Sequence, residues 1–108
     1  MKVRFWGVRG SIPVPGPSTV RVGGNTPCVE VQTEKREVVI LDAGTGIRQL
    51  GLDLANRVGG RLIAILLFSH THWDHIQGLP FFSPARLSHI RLVILGESRM
   101  DAHLEQVL

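Results

Sequence analysis

The chain has 108 residues, enough for one domain at most, and 44% of them are hydrophobic against 19% charged. This composition excludes global disorder. The sequence contains no run of about 18 apolar residues, so it predicts no membrane span. The single cysteine, Cys28, excludes an internal disulfide framework and, with a start that makes a poor signal peptide, predicts a cytoplasmic protein. The net charge of +3 arises from scattered basic residues, so a nucleic-acid-binding module is the least favoured of the functions considered.

The first half of the chain predicts strands, a long loop and one helix. Alternating polar and apolar residues predict a strand over 2–8 and a hairpin over 28–41. Residues 9–27 between them are rich in proline and glycine, which predicts a long loop. A break at 42–46 follows the hairpin, and Thr45 there is placed to cap an amphipathic helix predicted over 46–57.

The second half begins with an apolar run over 61–68, which predicts a strand buried on both faces. A polar segment leaves this strand, and residues 76–82 predict a short helix. Residues 90–95 predict another strand, and 97–108 predict a final helix with apolar side chains on one side. This order of elements predicts a single mixed α/β domain over residues 1–108.

A histidine-rich loop directly after the apolar run carries the candidate chemistry. His70 and His72 are two apart in an extended segment, so their side chains can approach one ion. Asp74 and His75 follow where the chain turns, and they offer an oxygen and a nitrogen on a different side. Imidazole nitrogen suits zinc and other first-row ions, so the loop predicts a site for one metal or two adjacent metals. The alternative is a surface loop with solvated histidines.

The motif His70-x-His72-x-Asp74-His75 after an apolar strand resembles the metal motif of the metallo-β-lactamase superfamily. The turn over 41–46 resembles the Asp-x-Gly turn that precedes the first helix in that family. Further similarity, to a branch with ribonuclease Z-like and cyclic-phosphate phosphodiesterase-like enzymes, lies in residues 5–13, 23–28 and 76–82.

This resemblance implies that His70 and His72 bind a first ion of zinc or manganese, and that Asp74 and His75 bind a second. Two ions would hold a bridging hydroxide that attacks a phosphodiester or related ester, and Asp74 would count among the catalytic residues. Asp42 would accept hydrogen bonds behind the metal and orient the ligands. An equal alternative for Asp42 is a structural turn residue before the helix.

The chain also departs from the family pattern. Family members complete their sites with a further His, a bridging Asp and a last His downstream, whereas His89 and His103 come too early and are interpreted as surface residues. The resemblance therefore implies the N-terminal half of an αββα sandwich, with a mixed sheet and helices on one face. Two functions remain open: a zinc-dependent, phosphodiesterase-like hydrolase, or a non-catalytic half-domain that binds metal weakly.

The expected partners follow from the same interpretation. The substrate would be a small phosphodiester, an ester or a nucleotide-type molecule, and no membrane is expected. Because one face of the half-domain's sheet would lack its cover, the sequence predicts a homo-oligomer, most simply a two-fold dimer.

Overall fold

A computed structural model describes residues 1–35, 37–57 and 61–96, and the helix predicted over 97–108 lies outside these residues. One five-stranded sheet dominates, and its strands lie side by side in chain order. They are β1 (Lys2–Gly7), β2 (Cys28–Gln32), β3 (Glu37–Leu41), β4 (Leu62–Leu67) and β5 (Ile90–Leu95). The first three strands are antiparallel and the last three are parallel, which confirms the predicted mixed α/β class.

Helix α1 (Ile47–Ala55) connects β3 to the parallel strand β4. Its side chains Ile47, Leu50 and Leu54 are buried, as the amphipathic spacing predicts. The predicted cap at Thr45 is wrong, because the cap residue is Gly46 and no side chain caps the helix. The hydroxyl of Thr45 instead accepts the backbone N–H of Thr26, while the Thr26 hydroxyl accepts the N–H of Thr45.

The core lies on one side of the sheet, beneath α1. Strand residues that alternate toward α1 are buried, and together with the helix they form a single hydrophobic cluster; those from the sheet are Cys28, Val38, Ile40, Leu62, Ala64, Leu66 and Ile90. Glu30, on the same side of β2 as Cys28, is completely buried, and it accepts hydrogen bonds from the Trp6 indole and the Arg57 guanidinium. The buried carboxylate of Glu30 is tolerated because it is hydrogen-bonded by Trp6 and paired with the positive charge of Arg57.

The prediction that the 61–68 strand is buried on both faces is wrong. Leu62, Ala64 and Leu66 are buried, but Ile63 is 37% exposed on the opposite face. The reason is that α1 covers one face of the sheet, and nothing among the described residues covers the other.

The segment after β4 also differs from its prediction. The short helix α2 spans Trp73–Ile76, and a separate 3-10 turn spans Leu79–Phe81, in place of one helix over 76–82. The N–H of Gly78 explains the break, because it donates to Ala43 O across the fold rather than to a carbonyl of its own helix. In residues 1–35, 37–57 and 61–96, no helix has the length and apolar character needed to cross a membrane.

Candidate metal centre

The candidate centre lies where the parallel strands β3 and β4 end. Asp42 directly follows β3, and the segment Ser69–His75 follows β4, so both arrive at the carboxyl edge of the sheet. Open α/β sheets commonly bind ligands at this edge. Asp42 has a φ of 65°, a left-handed conformation that aspartate tolerates better than most side chains.

Backbone hydrogen bonds connect the two loops directly. The N–H of Asp42 donates to Leu67 O at 2.8 Å, and the N–H of Ala43 donates to His75 O at 2.7 Å. The approach is so close that a Cβ added to Gly78 would lie 2.1 Å from Gly44 O. Glycine is therefore required at position 78, and the turn after β3 positions the histidine loop through backbone contact.

Three imidazole rings gather in the loop. The centroid of His70 lies 4.5 Å from that of His72 and 4.0 Å from that of His75. His72 has an extended backbone at the start of α2 and is exposed, whereas His70 and His75 are half-buried. The structure thus brings together the three histidines that the sequence singled out.

Asp42 anchors this cluster through both of its carboxylate oxygens. Oδ1 accepts the backbone N–H of Ser69 at 2.7 Å, and Oδ2 accepts the Ser69 hydroxyl, also at 2.7 Å. His75 Nδ1 lies 2.9 Å from the same Oδ2. An ionised carboxylate only accepts hydrogen bonds, so Nδ1 of His75 carries a proton, and Nε2 is the nitrogen on the side of the ring away from Asp42.

Ser69 connects Asp42 to a second imidazole, that of His70. Its hydroxyl proton is directed to Asp42, so the Ser69 oxygen is left to accept a hydrogen bond from His70 Nδ1, 2.9 Å away. Nε2 of His70 is then also the nitrogen that takes no part in this network. Sequence reasoning missed Ser69, although its position next to His70 and just after the apolar run over 61–68 was a usable signal.

Asp74 is held by a different part of the chain. Its Oδ2 accepts the backbone N–H of Ser11 at 3.0 Å, from the long loop between β1 and β2. This hydrogen bond lowers the pKa of Asp74, and the neighbouring His75 lowers it further. Ser11 has a φ of 73° and lies 63 positions away, so no sequence signal indicated the contact.

The donor types suit a divalent metal ion such as zinc or manganese. His75 Nε2 lies 3.5 Å from Asp74 Oδ2, near the roughly 3.4 Å that separates two ligands of one tetrahedral zinc. Within the described ranges, however, no three His, Cys, Asp or Glu side chains are arranged so that they could hold a metal ion. The described residues therefore fit a metal in the chemistry of their donor atoms, and supply an incomplete set of ligands.

Two other candidate ligands lie away from this centre. His89 precedes β5, at the amino edge of the parallel strands, opposite the histidine loop. Cys28 is fully buried in the core, where burial, followed by the charges of Asp42 and Glu30, raises the pKa of its thiol. Cys28 therefore stays protonated, and neither residue joins the cluster; His103 lies outside the described residues.

The fold and the histidine motif together define the class of protein. The sequence profile of the metallo-beta-lactamase superfamily matches residues 21–94, which include the hairpin, α1 and the whole histidine loop. The chain belongs to the metallo-beta-lactamase superfamily. No curated protein and no solved structure is significantly similar to it.

Proposed function

We propose that the chain carries the metal-binding motif of a metal-dependent hydrolase that acts on a phosphodiester or a related ester. The observation that carries this proposal is the network in which one carboxylate, Asp42, orients both His70 and His75 with Nε2 outward. A structural turn residue needs neither the direct contact with His75 nor the contact with His70 through the Ser69 hydroxyl. When bound, a divalent ion supplies Lewis acidity and activates water for attack on the ester.

The chain's own residues prepare the site for that ion. Asp42 and Ser69 hold two imidazoles by Nδ1, so Nε2 is the nitrogen of each ring that is left to ligate a metal. Ser11 keeps the Asp74 carboxylate ionised and oriented, because its N–H bond favours the charged form. We assign metal binding to His70, His72, Asp74 and His75, and orientation of the ligands to Asp42.

The substrate class is inferred from the resemblance of residues 5–13, 23–28 and 76–82 to the phosphodiesterase-type branch. The structure adds one supporting contact, since Ser11 of the first segment lies against Asp74. A loop that touches a candidate ligand is placed to touch a substrate as well, which favours a role for residues 9–27 in substrate binding.

A second candidate function is a non-catalytic half-domain that binds metal weakly. The incomplete ligand set in the described part of the chain favours it. The two candidate functions predict the same metal ligands but different activity. Metal binding therefore tests the ligands that both require, and catalytic turnover distinguishes the hydrolase from the non-catalytic half-domain.

The metal content of the purified protein tests the assignment of the ligands, which both candidate functions require. The double variant H70A/H72A should lose bound zinc or manganese, measured by elemental analysis after dialysis against the metal. His89→Ala is the matched control, because it removes a histidine at the opposite edge of the sheet and should leave the metal content unchanged. Equal metal content in the wild type and the double variant would overturn the assignment.

Hydrolysis of bis(p-nitrophenyl) phosphate separates the candidates. We expect slow, metal-dependent turnover that Asp74→Ala abolishes, while the exposed carboxylate variant Glu34→Gln retains it. If the chain binds metal but hydrolyses the ester no faster than the metal ion alone in buffer, the result would instead support the non-catalytic half-domain.

A further inference from the structure

Two large apolar side chains are exposed beside the hydrogen bond that holds Asp74. This bond joins the N–H of Ser11 to Asp74 Oδ2 at 3.0 Å. Ile12, the residue after Ser11, is 60% exposed, and Trp73, the residue before Asp74, is 61% exposed. Because consecutive Cα atoms are about 3.8 Å apart, both side chains leave the backbone close to this bond. We refer to Ile12 and Trp73 as the apolar pair.

The exposure of Trp73 has no explanation in packing. Tryptophan usually buries its ring and hydrogen-bonds its N–H, and Trp6 does so, because it is half-buried and donates to Glu30 at 3.0 Å. Within residues 1–35, 37–57 and 61–96, the indole N–H of Trp73 has no hydrogen-bond partner. Trp73 lies between His72 and Asp74, two residues to which we assign metal binding. Its ring is therefore available to a ligand of the candidate metal centre.

Ile12 is held in place by an unusual turn. Its N–H donates to Gly10 O at 3.0 Å, and Ser11, the residue between them, has a φ of 73°. This hydrogen bond and the positive φ define the rarer, strained form of the γ-turn. Strained backbone of this kind is concentrated at functional sites. The turn fixes Ile12 on one segment of the Asp74 contact, while Trp73 lies on the other.

Arg9 brings a positive charge to the same turn. Its backbone N–H donates to Asn25 O at 2.9 Å, and its Nε donates to Ile12 O at 3.1 Å. In the part of the chain that the structure describes, the guanidinium of Arg9 forms no ion pair. Its terminal nitrogens are therefore left to bind an anion. A guanidinium suits a phosphate because its planar donors match two phosphate oxygens.

We propose that the apolar pair and Arg9 bind a nucleotide-type substrate beside the candidate metal centre. The base contacts Trp73 and Ile12, and the phosphate contacts Arg9. This inference rests on the proposed function and narrows its substrate from esters in general to phosphodiesters that carry an aromatic base. Every base has a π-face that can stack on an aromatic ring, so the stacking on Trp73 selects for a base without selecting one base over another.

The test is a titration of the nitrogen-15-labelled chain followed by NMR. The chain has two tryptophans, so it gives two indole N–H signals, and Trp73→Leu identifies the signal of Trp73. The probes are cyclic AMP, adenosine and dimethyl phosphate, which present base and phosphodiester together, the base alone and the phosphodiester alone. EDTA is present throughout, so a failure of metal binding or of turnover would leave the result unchanged.

We expect cyclic AMP to shift the indole signal of Trp73 and to leave that of Trp6, which is bonded to Glu30, in place. Adenosine should bind more weakly than cyclic AMP, and dimethyl phosphate should not move either signal. This measurement uses the wild type, so it does not depend on the folding of a variant.

Two substitutions in the apolar pair test the contact with the base. Trp73→Leu should raise the dissociation constant of cyclic AMP, followed on the adenine protons, by about tenfold. Ile12→Ala should raise it by a smaller factor. Because both side chains are exposed, the variants should fold, and circular dichroism checks this.

Each of these substitutions has a matched control. Phe81→Leu removes a ring that is 65% exposed and lies in a cavity with Arg48 and Leu52 on the outer side of α1. Val20→Ala shortens an exposed side chain of the same long loop as Ile12. Both controls should bind cyclic AMP as the wild type does.

Arg9→Gln tests the contact with the phosphate. It should weaken cyclic AMP and leave the binding of adenosine unchanged, whereas Arg21→Gln, at an exposed arginine of the same loop, should change neither. An unmoved Trp73 signal, equal shifts of both indole signals, or an unchanged dissociation constant in Trp73→Leu would overturn the proposal. Equal binding of cyclic AMP by the wild type and Arg9→Gln would overturn the role of Arg9.

Discussion

The carboxylate of Asp42 lies 2.9 Å from Nδ1 of His75, a contact that joins the residue after β3 to the histidine loop after β4. The same oxygen, Oδ2, also accepts the hydroxyl of Ser69. Asp42 is almost fully buried and left-handed, so its side chain is held between the two loops. Asp42 therefore connects the backbone turn before α1 with the orientation of the candidate ligands His70 and His75.

Replacing Asp42 with Asn tests this connection. Asparagine keeps the shape and tolerates the left-handed backbone, but an amide cannot offer a charged oxygen to both His75 and Ser69. We expect zinc affinity to fall by about 10–100-fold, the usual effect of removing a group that orients a metal ligand. Isothermal titration with zinc measures this fall.

Glu34→Gln is the control for the lost charge, because Glu34 is exposed in the turn between β2 and β3. Its zinc affinity should equal that of the wild type. Unchanged affinity in Asp42→Asn would instead identify Asp42 as a structural turn residue.

Ser69→Ala removes the hydroxyl between Asp42 and His70. The backbone N–H of residue 69 still donates to Asp42 Oδ1, so the turn should persist while His70 Nδ1 loses its acceptor. We expect about a tenfold loss of zinc affinity. The nitrogen-15 chemical shifts of His70 should show a mixture of tautomers, and those of His75 should not change. A single Nδ1-protonated tautomer of His70 in Ser69→Ala would contradict the proton assignment.

The ion pair between Glu30 and Arg57 should dominate the stability of the contact between β2 and the segment that follows α1. Glu30 is completely buried, and its Oε2 lies 2.6 Å from the Arg57 guanidinium. Among the residues that the structure describes, Arg57→Leu leaves this carboxylate with only the Trp6 indole as a side-chain partner. We expect the free energy of unfolding to fall by about 3 kcal/mol, because an unpaired buried charge remains. Urea denaturation measures the change.

Arg48→Leu provides the comparison, since Arg48 is exposed on α1, the helix that Arg57 follows. It should change the unfolding free energy by less than about 0.5 kcal/mol. If the two substitutions lowered the free energy of unfolding equally, the Glu30–Arg57 pair would contribute no more to stability than an exposed arginine does.

The raised pKa of the buried Cys28 thiol predicts that the protein loses stability in alkaline solution. Burial, with Asp42 and Glu30 nearby, raises the pKa of its thiol above the ordinary value of 9.0. The folded state therefore holds the proton where the unfolded state releases it, so the stabilisation is complete below pH 9 and is lost as the pH rises. The free energy of unfolding should fall by about 1.4 kcal/mol per pH unit above that point.

The alkaline loss is measured by urea denaturation between pH 8 and pH 10. Cys28→Ser removes the titrating thiol and should flatten the difference curve, because the lysines titrate equally in both proteins. Parallel pH profiles of the wild type and Cys28→Ser would show that the thiol is not protected from ionisation.

The sequence by itself determined the strands, the first helix and the position of the histidine loop. Alternation in 28–41 predicts the hairpin, and the helical spacing from Ile47 to Leu54 predicts the buried side of α1; both are local patterns that a chain satisfies wherever it folds. The superfamily resemblance was likewise contained in a short motif, and the match over 21–94 confirms it. Helix ends were less certain, since tertiary bonds of Thr45 and Gly78 decided them.

Only the tertiary structure decided which residues support the histidines and which face of the sheet is covered. Asp42 meets Ser69 across 27 positions and Ser11 meets Asp74 across 63, and no local pattern encodes distances that depend on how strands pair. The apolar run of β4 looks the same from both sides, so its sequence indicated burial on two faces. Burial is decided by what packs against each face, and α1 packs against only one.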